Sequence, residues 1–488
     1  MKEANFTYCT SSTFLLRLAV SIPLRWTRFG LYIAAKVRYN NLSNVELREI
    51  FTRIASSQEI FMLIDFTVEN YRSIKTPVTL SAIAQKAHAK QSRRDGVIPD
   101  NEIAPPYVAE GRNFELLPVL ALYGANASGK TNVLTALDNF MALIGLFAGQ
   151  KRERMRRITP FKLDALAENA STVFTARILA QDIIYFFTIR LAQQRILLEQ
   201  LDYLPTKARR PHALYRAEWN EAEGKYQWTN GVDFAGPHKQ LQPSWMGTEP
   251  FLGVFSSLFS LDVVRPLTNI LTEYWFGVHL GQEALDQRVA AAKSHSHPDE
   301  FQQVAQLLKA LDIGLSDLRL EWDETKFQEA QNRFYELIAC HETSEGAIEW
   351  PFEEESGGTR SLFPLLAKMV HTFKFGGLML VDELGANLHP NLTRRIIQMF
   401  QSPKSNPKRA QLIFTTHDSN LLRRDLLRRD QVWFTKKQAD GSTDLYSLSD
   451  FKPRNDLALD RSYLDGRFGA IPILPDEEQL VALFEASK

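Results

Sequence analysis

From Met62 the chain alternates apolar and polar residues through Leu63, Phe66, Val68 and Ile74, a period of two that predicts a strand over residues 62–74. Residues 77–84 continue as a second strand. Residues 85–112 are polar and carry Pro99, Pro105 and Pro106, so they read as a loop. An apolar run over 116–122 predicts a buried strand, and residues 132–141 place Val133, Leu134, Leu137 and Met141 at helical spacing. Alternation returns over 171–190 and 196–204, the pattern of antiparallel strands. Residues 212–250 are rich in Trp, Gly, Pro and Asn and show no clear period. From 262 to 312 the pattern turns helical, with amphipathic stretches over 282–292 and 300–311 split by a Ser294–Pro298 loop that carries His295 and His297. No sustained heptad appears, so no long coiled-coil arm is expected.

Upstream, residues 14–24 have a faint likeness to a signal-peptide core, but Arg17 interrupts the run and Arg25 and Arg28 follow it. The same residues suit an interfacial helix. The expectation is an N-terminal extension over 1–61, with the working protein beginning at Met62. The expected domains are that extension, a first half over 62–160, an inserted β arm and helical lid over 161–350, and a second half over 351–488.

At 488 residues the chain exceeds one ordinary core. Lys+Arg and Asp+Glu both total 57, which argues against a basic coat for nucleic acid. The basic run at Lys151–Arg157 suits nucleic-acid phosphates or a solvated helix end, and the zero net charge favours the helix end. Lys207, Arg209 and Arg210 form a second basic cluster in an expected hairpin loop. Cys9 and Cys340 are the only cysteines; they give no disulfide framework and suit a reducing cytoplasm. No run of uncharged apolar residues is long enough to cross a membrane, so a membrane partner is not expected.

The candidate chemistry centres on Gly124-Ala125-Asn126-Ala127-Ser128-Gly129-Lys130-Thr131, a complete G-x-x-x-x-G-K-[ST] loop between the buried strand and the helix that starts near Asn132. Loop amides and the positive helix end face the same phosphates. The motif assigns Lys130 to the β/γ-phosphates of ATP and the Thr131 hydroxyl to Mg²⁺. The run Gly376–Glu383 is an apolar strand ending in two carboxylates: Asp382 is expected to hold Mg²⁺ and Glu383 to orient the attacking water. Ser356, Gly357 and Gly358 open an amphipathic helix, a second anion-binding arrangement.

Here the chain resembles ABC-type ATPases. Ser356-Gly357-Gly358-Thr359 looks like their signature loop, which in that family meets the γ-phosphate bound by a second, head-to-tail subunit. Leu384–Pro390 is similar to the loop after the catalytic Glu in the RecF, SMC and OLD groups. His417, ending the strand over 411–418, looks like the family's switch histidine. The resemblance implies a P-loop α/β ATPase head with a mixed sheet, an antiparallel β arm and a helical insert, acting as a dimer or higher oligomer.

Residues 422–434, 444–451 and 463–472 resemble stand-alone ATPases of bacterial anti-phage systems, including PARIS-type and retron-associated ones. That likeness implies a cytoplasmic sensor or regulator of a separate toxin or nuclease effector. Gly466 and Gly469 bracket a turn whose Arg467 suits a phosphate, a carboxylate or a structural contact. A RecF/SMC-like ATPase acting on DNA is the alternative. An OLD-type nuclease fits less well, because the stretch after His417 is short for a fused nuclease domain and holds no Asp-x-Asp pair.

Overall fold

The structure is a computed structural model that describes residues 60–85, 106–109, 111–145, 155–192, 194–258, 261–273, 297–311, 314–322, 335–452, 457–472, 475–479 and 481. The run at 14–24, the helix expected over 282–292, His295 and the first part of the 151–157 basic run lie outside the described residues.

Strand β1 (Phe61–Glu69) pairs antiparallel with β2 (Val78–Ser81). It ends at Glu69, short of the expected 74, because Asn70 (φ 52°) and Arg72 (φ 49°) take left-handed backbone and turn the chain. After the short pair β3 (Tyr107–Val108) and β4 (Glu115–Leu116) comes β5 (Val119–Gly124), with all six residues buried. The expected strand is split here because Pro118 has no N–H to give; its carbonyl accepts from Leu412 at 2.9 Å. Helix α1 (Lys130–Ile144) follows.

The arm is built from β6 (Thr172–Ala180), β7 (Ile183–Ala192), β8 (Arg195–Leu204), β9 (His212–Asn220) and β10 (Lys225–Asn230). With β1 and β2 they form one seven-stranded antiparallel sheet, in the order β10-β9-β8-β7-β6-β1-β2. The last hairpin falls where the sequence shows no period. β10 alternates, but β9 shifts register against β8 and buries the consecutive Leu214 and Tyr215, which breaks the period. On the covered face Trp228 packs on Phe251 at 4.7 Å and Tyr226 on Trp245 at 4.4 Å. Helices α2 (Phe251–Leu258), α3 (Arg265–Glu273) and α4 (Pro298–Ala310) lead to a three-stranded sheet of β11 (Asp317–Trp322), β12 (Tyr335–Thr343) and β13 (Gly346–Pro351).

The chain then returns to the first half. Helix α5 (Gly357–Phe375), β14 (Leu378–Val381), α6 (Pro390–Gln401), β15 (Gln411–Thr415), β16 (Val432–Lys437), β17 (Thr443–Ser447) and α7 (Leu459–Leu464) complete it. The five-stranded sheet runs β14-β15-β5-β16-β17, parallel except for the edge pair β16–β17.

Alternate residues of β5 serve two cores. Leu120 and Leu122 face α1, whose Phe140 packs on Phe66 (5.6 Å) and Phe187 (5.8 Å) of the antiparallel sheet. Val119, Ala121 and Tyr123 face α5 and α6 through Leu366, Met369, Ile397 and Phe400. Strands covered on both faces by helices are apolar throughout, as β5 and β14 are. The Gln411 side chain stitches the two sheets together. Its Oε1 accepts from Leu63 N at 2.6 Å, and its Nε2 donates to Leu63 O at 3.1 Å and Leu117 O at 3.0 Å.

Candidate nucleotide site

The phosphate loop sits at the carboxyl end of β5, where an open parallel sheet offers a crevice. Gly124 cannot be larger, since a Cβ there would lie 2.4 Å from Thr435 Oγ1. Gly129 has φ 105° and caps α1, and its Cβ would lie 2.1 Å from Thr443 Oγ1. Ala125 is half-buried, Asn126 and Ala127 are exposed at the loop crest, and Ala127 takes φ 58°.

Lys130 is buried and its Nζ donates to the carbonyls of Gly124 (2.9 Å) and Ala125 (3.1 Å). Burial lowers its pKa to about 8, against the pull of Asp382 and Glu383. Thr131 Oγ1 donates to Asp382 Oδ2 at 2.8 Å. The loop and the end of β14 therefore meet directly. Thr415, the last residue of β15, donates its hydroxyl to Asp382 Oδ1 at 2.6 Å and accepts the Glu383 N–H at 2.8 Å. Glu383 itself is exposed and holds φ 53°, a left-handed conformation uncommon for a side chain of this size. His417 follows Thr415 by two residues. Burial lowers its pKa, the nearby Lys130 charge adds to that, and Glu383 and Asp382 oppose it. Thr131, Asp382, Glu383, Lys130 and His417 thus share one electrostatic neighbourhood.

The wall of the loop is a chain of hydroxyls. Asn132 Nδ2 donates to Ser73 Oγ (2.7 Å), Ser73 Oγ meets Thr443 Oγ1 (2.7 Å), and Thr443 Oγ1 donates to the Ser128 carbonyl (3.0 Å). A hydroxyl has one proton to give, so the Ser73 hydroxyl is the donor to Thr443. Ser128 Oγ in turn meets Thr435 Oγ1 at 2.6 Å. Arg72 Nη1 reaches Thr135 Oγ1 at 3.3 Å, so the Asn70–Ser73 turn closes over the start of α1. Thr415, Thr435 and Thr443 were not marked by sequence reasoning; single hydroxyls on strands carry no spacing signal.

Ser356 caps α5: its Oγ accepts from Thr359 N at 3.1 Å. Gly357 is the first residue of α5. Gly358 lies against the loop after Glu383, where a Cβ would be 3.0 Å from the Asn387 carbonyl. The preceding Glu355 is clasped from the β12–β13 hairpin. Its Oε1 accepts from Trp350 Nε1 (2.8 Å) and pairs with His341 Nε2 (2.6 Å), and His341 stacks on Trp350 at 4.0 Å. The side chains of Ser128 and Thr131 bond to the hydroxyl wall and the carboxylate strand, and the Ser356 hydroxyl bonds to Thr359.

The Gly466–Gly469 turn supports the loop from behind. Phe468 is buried against Phe434 (5.3 Å), Tyr463 packs on Tyr123 (5.6 Å), and the Tyr463 hydroxyl donates to the Ala470 carbonyl at 3.5 Å. Arg467 is exposed. His297, expected in a loop, is the residue before α4, and its ring lies 5.8 Å from that of His371. Among the described residues no cluster of His, Cys, Asp or Glu has the makings of a separate metal centre, and no helix is long and apolar enough to cross a membrane.

A sequence profile for the family described as "AAA domain, putative AbiEii toxin, Type IV TA system" matches residues 119–423, from β5 through His417. No curated protein matches the chain in sequence. Among solved structures, the chain is similar to the SMC head domain from Thermotoga maritima, with 12% identity, a TM-score of 0.35, and coverage of 79% of this chain and 98% of that one. It is similar to the Smc head domain of Pyrococcus furiosus bound to the C-terminal domain of ScpA, with 14% identity, a TM-score of 0.33, and coverage of 80% and 98%. It is also similar to the recombination mediator protein RecF with ATPγS, with 13% identity, a TM-score of 0.35, and coverage of 80% and 99%.

Proposed function

Because the chain belongs to this family of AAA-domain, P-loop ATPases, we propose that it hydrolyses ATP at Gly124–Thr131 and uses the cycle to regulate a separate effector protein. The observation that carries the hydrolytic reading is the Thr131–Asp382 hydrogen bond, which joins the phosphate loop to the carboxylate strand. A hydroxyl and a carboxylate are hard oxygen donors, and side by side they suit Mg²⁺. Thr131 and Asp382 would hold that ion, which when bound offsets charge on the phosphates. Lys130 would leave its own loop carbonyls for the β/γ-phosphates, with Ala125–Gly129 and Asn132 lining the cradle. Glu383 would orient the attacking water and His417 would sense the γ-phosphate.

The site is completed by Ser356, Gly357 and Gly358 of a second copy packed head to tail. Support for this comes from the glycine-opened start of α5, an anion-binding arrangement capped by the Ser356 hydroxyl through Thr359 N. The regulatory part draws on the family description, which names a putative toxin and a type IV TA system, and on the motif likeness to anti-phage ATPases. The effector is a toxin or nuclease encoded separately and the setting is cytoplasmic.

Phosphate release by the full chain tests the reading. Glu383→Gln is expected to bind ATP, turn over about 100-fold or more slower, and accumulate as closed dimers. Turnover at the native rate would remove Glu383 as the base. Strong stimulation by DNA alone, with no partner captured from co-expressed neighbouring genes, would replace effector control with action on DNA.

A further inference from the structure

We propose that Thr415 is a positioning residue for hydrolysis, its one hydroxyl fixing both carboxylates at the end of β14. The inference rests on the roles proposed above for Asp382 and Glu383. Thr415 is fully buried and touches no solvent, so it acts through its neighbours. Its proton goes to Asp382 Oδ1 and its lone pair takes the Glu383 N–H. That uses its only proton and leaves its orientation determined.

Two consequences follow for the carboxylates. With Oδ1 held by Thr415, Asp382 turns its other oxygen, Oδ2, to Thr131. The hydroxyl therefore selects which oxygen faces the phosphate loop. Glu383, for its part, is held at φ 53°, a left-handed conformation that a residue with a side chain keeps only where its surroundings offset the strain. The N–H bond to Thr415 and the Leu384 N–H bond to the Thr415 carbonyl (2.9 Å) are the restraints on either side of that bend. The backbone bend in turn sets where the exposed Glu383 side chain starts.

A role confined to strand cohesion is less economical. β14 and β15 are already paired from Leu378↔Gln411 to Val381↔Phe414, and β15 is paired on its other side to β5. The hydroxyl adds nothing to that ladder; both its bonds lie beyond the last paired residues. Thr415 also lies two residues before His417, the γ-phosphate sensor of the proposed function.

The test uses the full chain with Thr415→Val, Thr415→Ser, Glu383→Gln and the Thr415→Val/Glu383→Gln double variant. Turnover, KM for MgATP and the thermal midpoint are read for each. Thr415→Val is expected to lower kcat about 10- to 100-fold with KM changed less than about 3-fold, because geometry and not binding is lost. Thr415→Ser keeps the hydroxyl and is expected to stay within about 3-fold of the native kcat. The double variant is expected to be no more than about 3-fold slower than Glu383→Gln alone, since the two act through one group. Should valine not be accommodated, Thr415→Ala repeats the comparison in a smaller volume.

Thr415→Val at more than half the native kcat overturns the proposal. So does an equal loss in Thr415→Ser, or losses that multiply in the double variant. A fully active Glu383→Gln instead removes the premise; a stalled Glu383→Gln beside a fully active Thr415→Val overturns the inference alone.

Discussion

Thr131 and Asp382 stand 251 positions apart in the chain and are joined by a 2.8 Å hydrogen bond, hydroxyl to carboxylate. The bond exists because β5 and β14 flank β15 in a parallel sheet, so the residues that follow both strands emerge at the same edge. Everything proposed for the site depends on that juxtaposition.

Asp382→Asn is expected to leave ATP binding without added metal within about 3-fold, and to lower Mg²⁺-dependent turnover about 100-fold. Titrating Mg²⁺ at fixed ATP checks it. A native metal dependence in the variant would separate Asp382 from the ion.

ATP affinity is expected to weaken as pH rises through about 8, the value to which burial lowers the Lys130 ammonium. The sign follows from the charge: below that pH Lys130 is a cation before ATP arrives, and above it a proton must be taken up on binding. Each further pH unit costs about tenfold in affinity until the bound-state value is reached. Equilibrium binding of a fluorescent ATP analogue from pH 7 to 9.5 reads this, and Lys130→Met is expected to flatten the slope.

Gly129→Ala places a methyl group 2.1 Å from a hydroxyl already committed to Ser73 and Ser128, on backbone at φ 105°. The expected cost is about 3 kcal/mol, with loss of nucleotide binding. Denaturant unfolding beside an ATP-binding assay would measure both.

Mixing Lys130→Ala with Ser356→Arg chains tests the two-copy site. Each variant alone is expected to be inactive. In an equal mixture half the dimers are mixed, and each has one intact site, so about a quarter of native turnover is expected to return. A mixture as inactive as its parts would place the signature loop outside the reacting site.

The phosphate loop, the Asp382–Glu383 pair, the Ser356 cap and His417 were legible in the sequence because each is spelled in contiguous residues with its strand or helix attached. The antiparallel arm was legible through β8 because a half-buried strand must alternate. The 212–230 hairpin was hidden because β9 shifts register against β8 and buries the consecutive Leu214 and Tyr215, which breaks its alternation. The hydroxyl wall was hidden for a different reason. Ser73 meets Thr443 only after sheet pairing closes a separation of 370 residues. Pro118 and Asn70 set strand ends by backbone chemistry that hydropathy does not register. The Gly466–Gly469 turn, open as a site from sequence, has Phe468 in the core and Arg467 at the surface.

Gln411 gives the molecule an unusual kind of joint. One amide grips the main chain of Leu63 twice and that of Leu117 once, so the arm cannot slide past the nucleotide sheet without tearing the two buried bonds to Leu63. From Gln411 a fully buried strand runs straight to Thr415. A tug on the arm at β1 would arrive at the carboxylates along a stiff beam, and a shift at the carboxylates would travel back the same way.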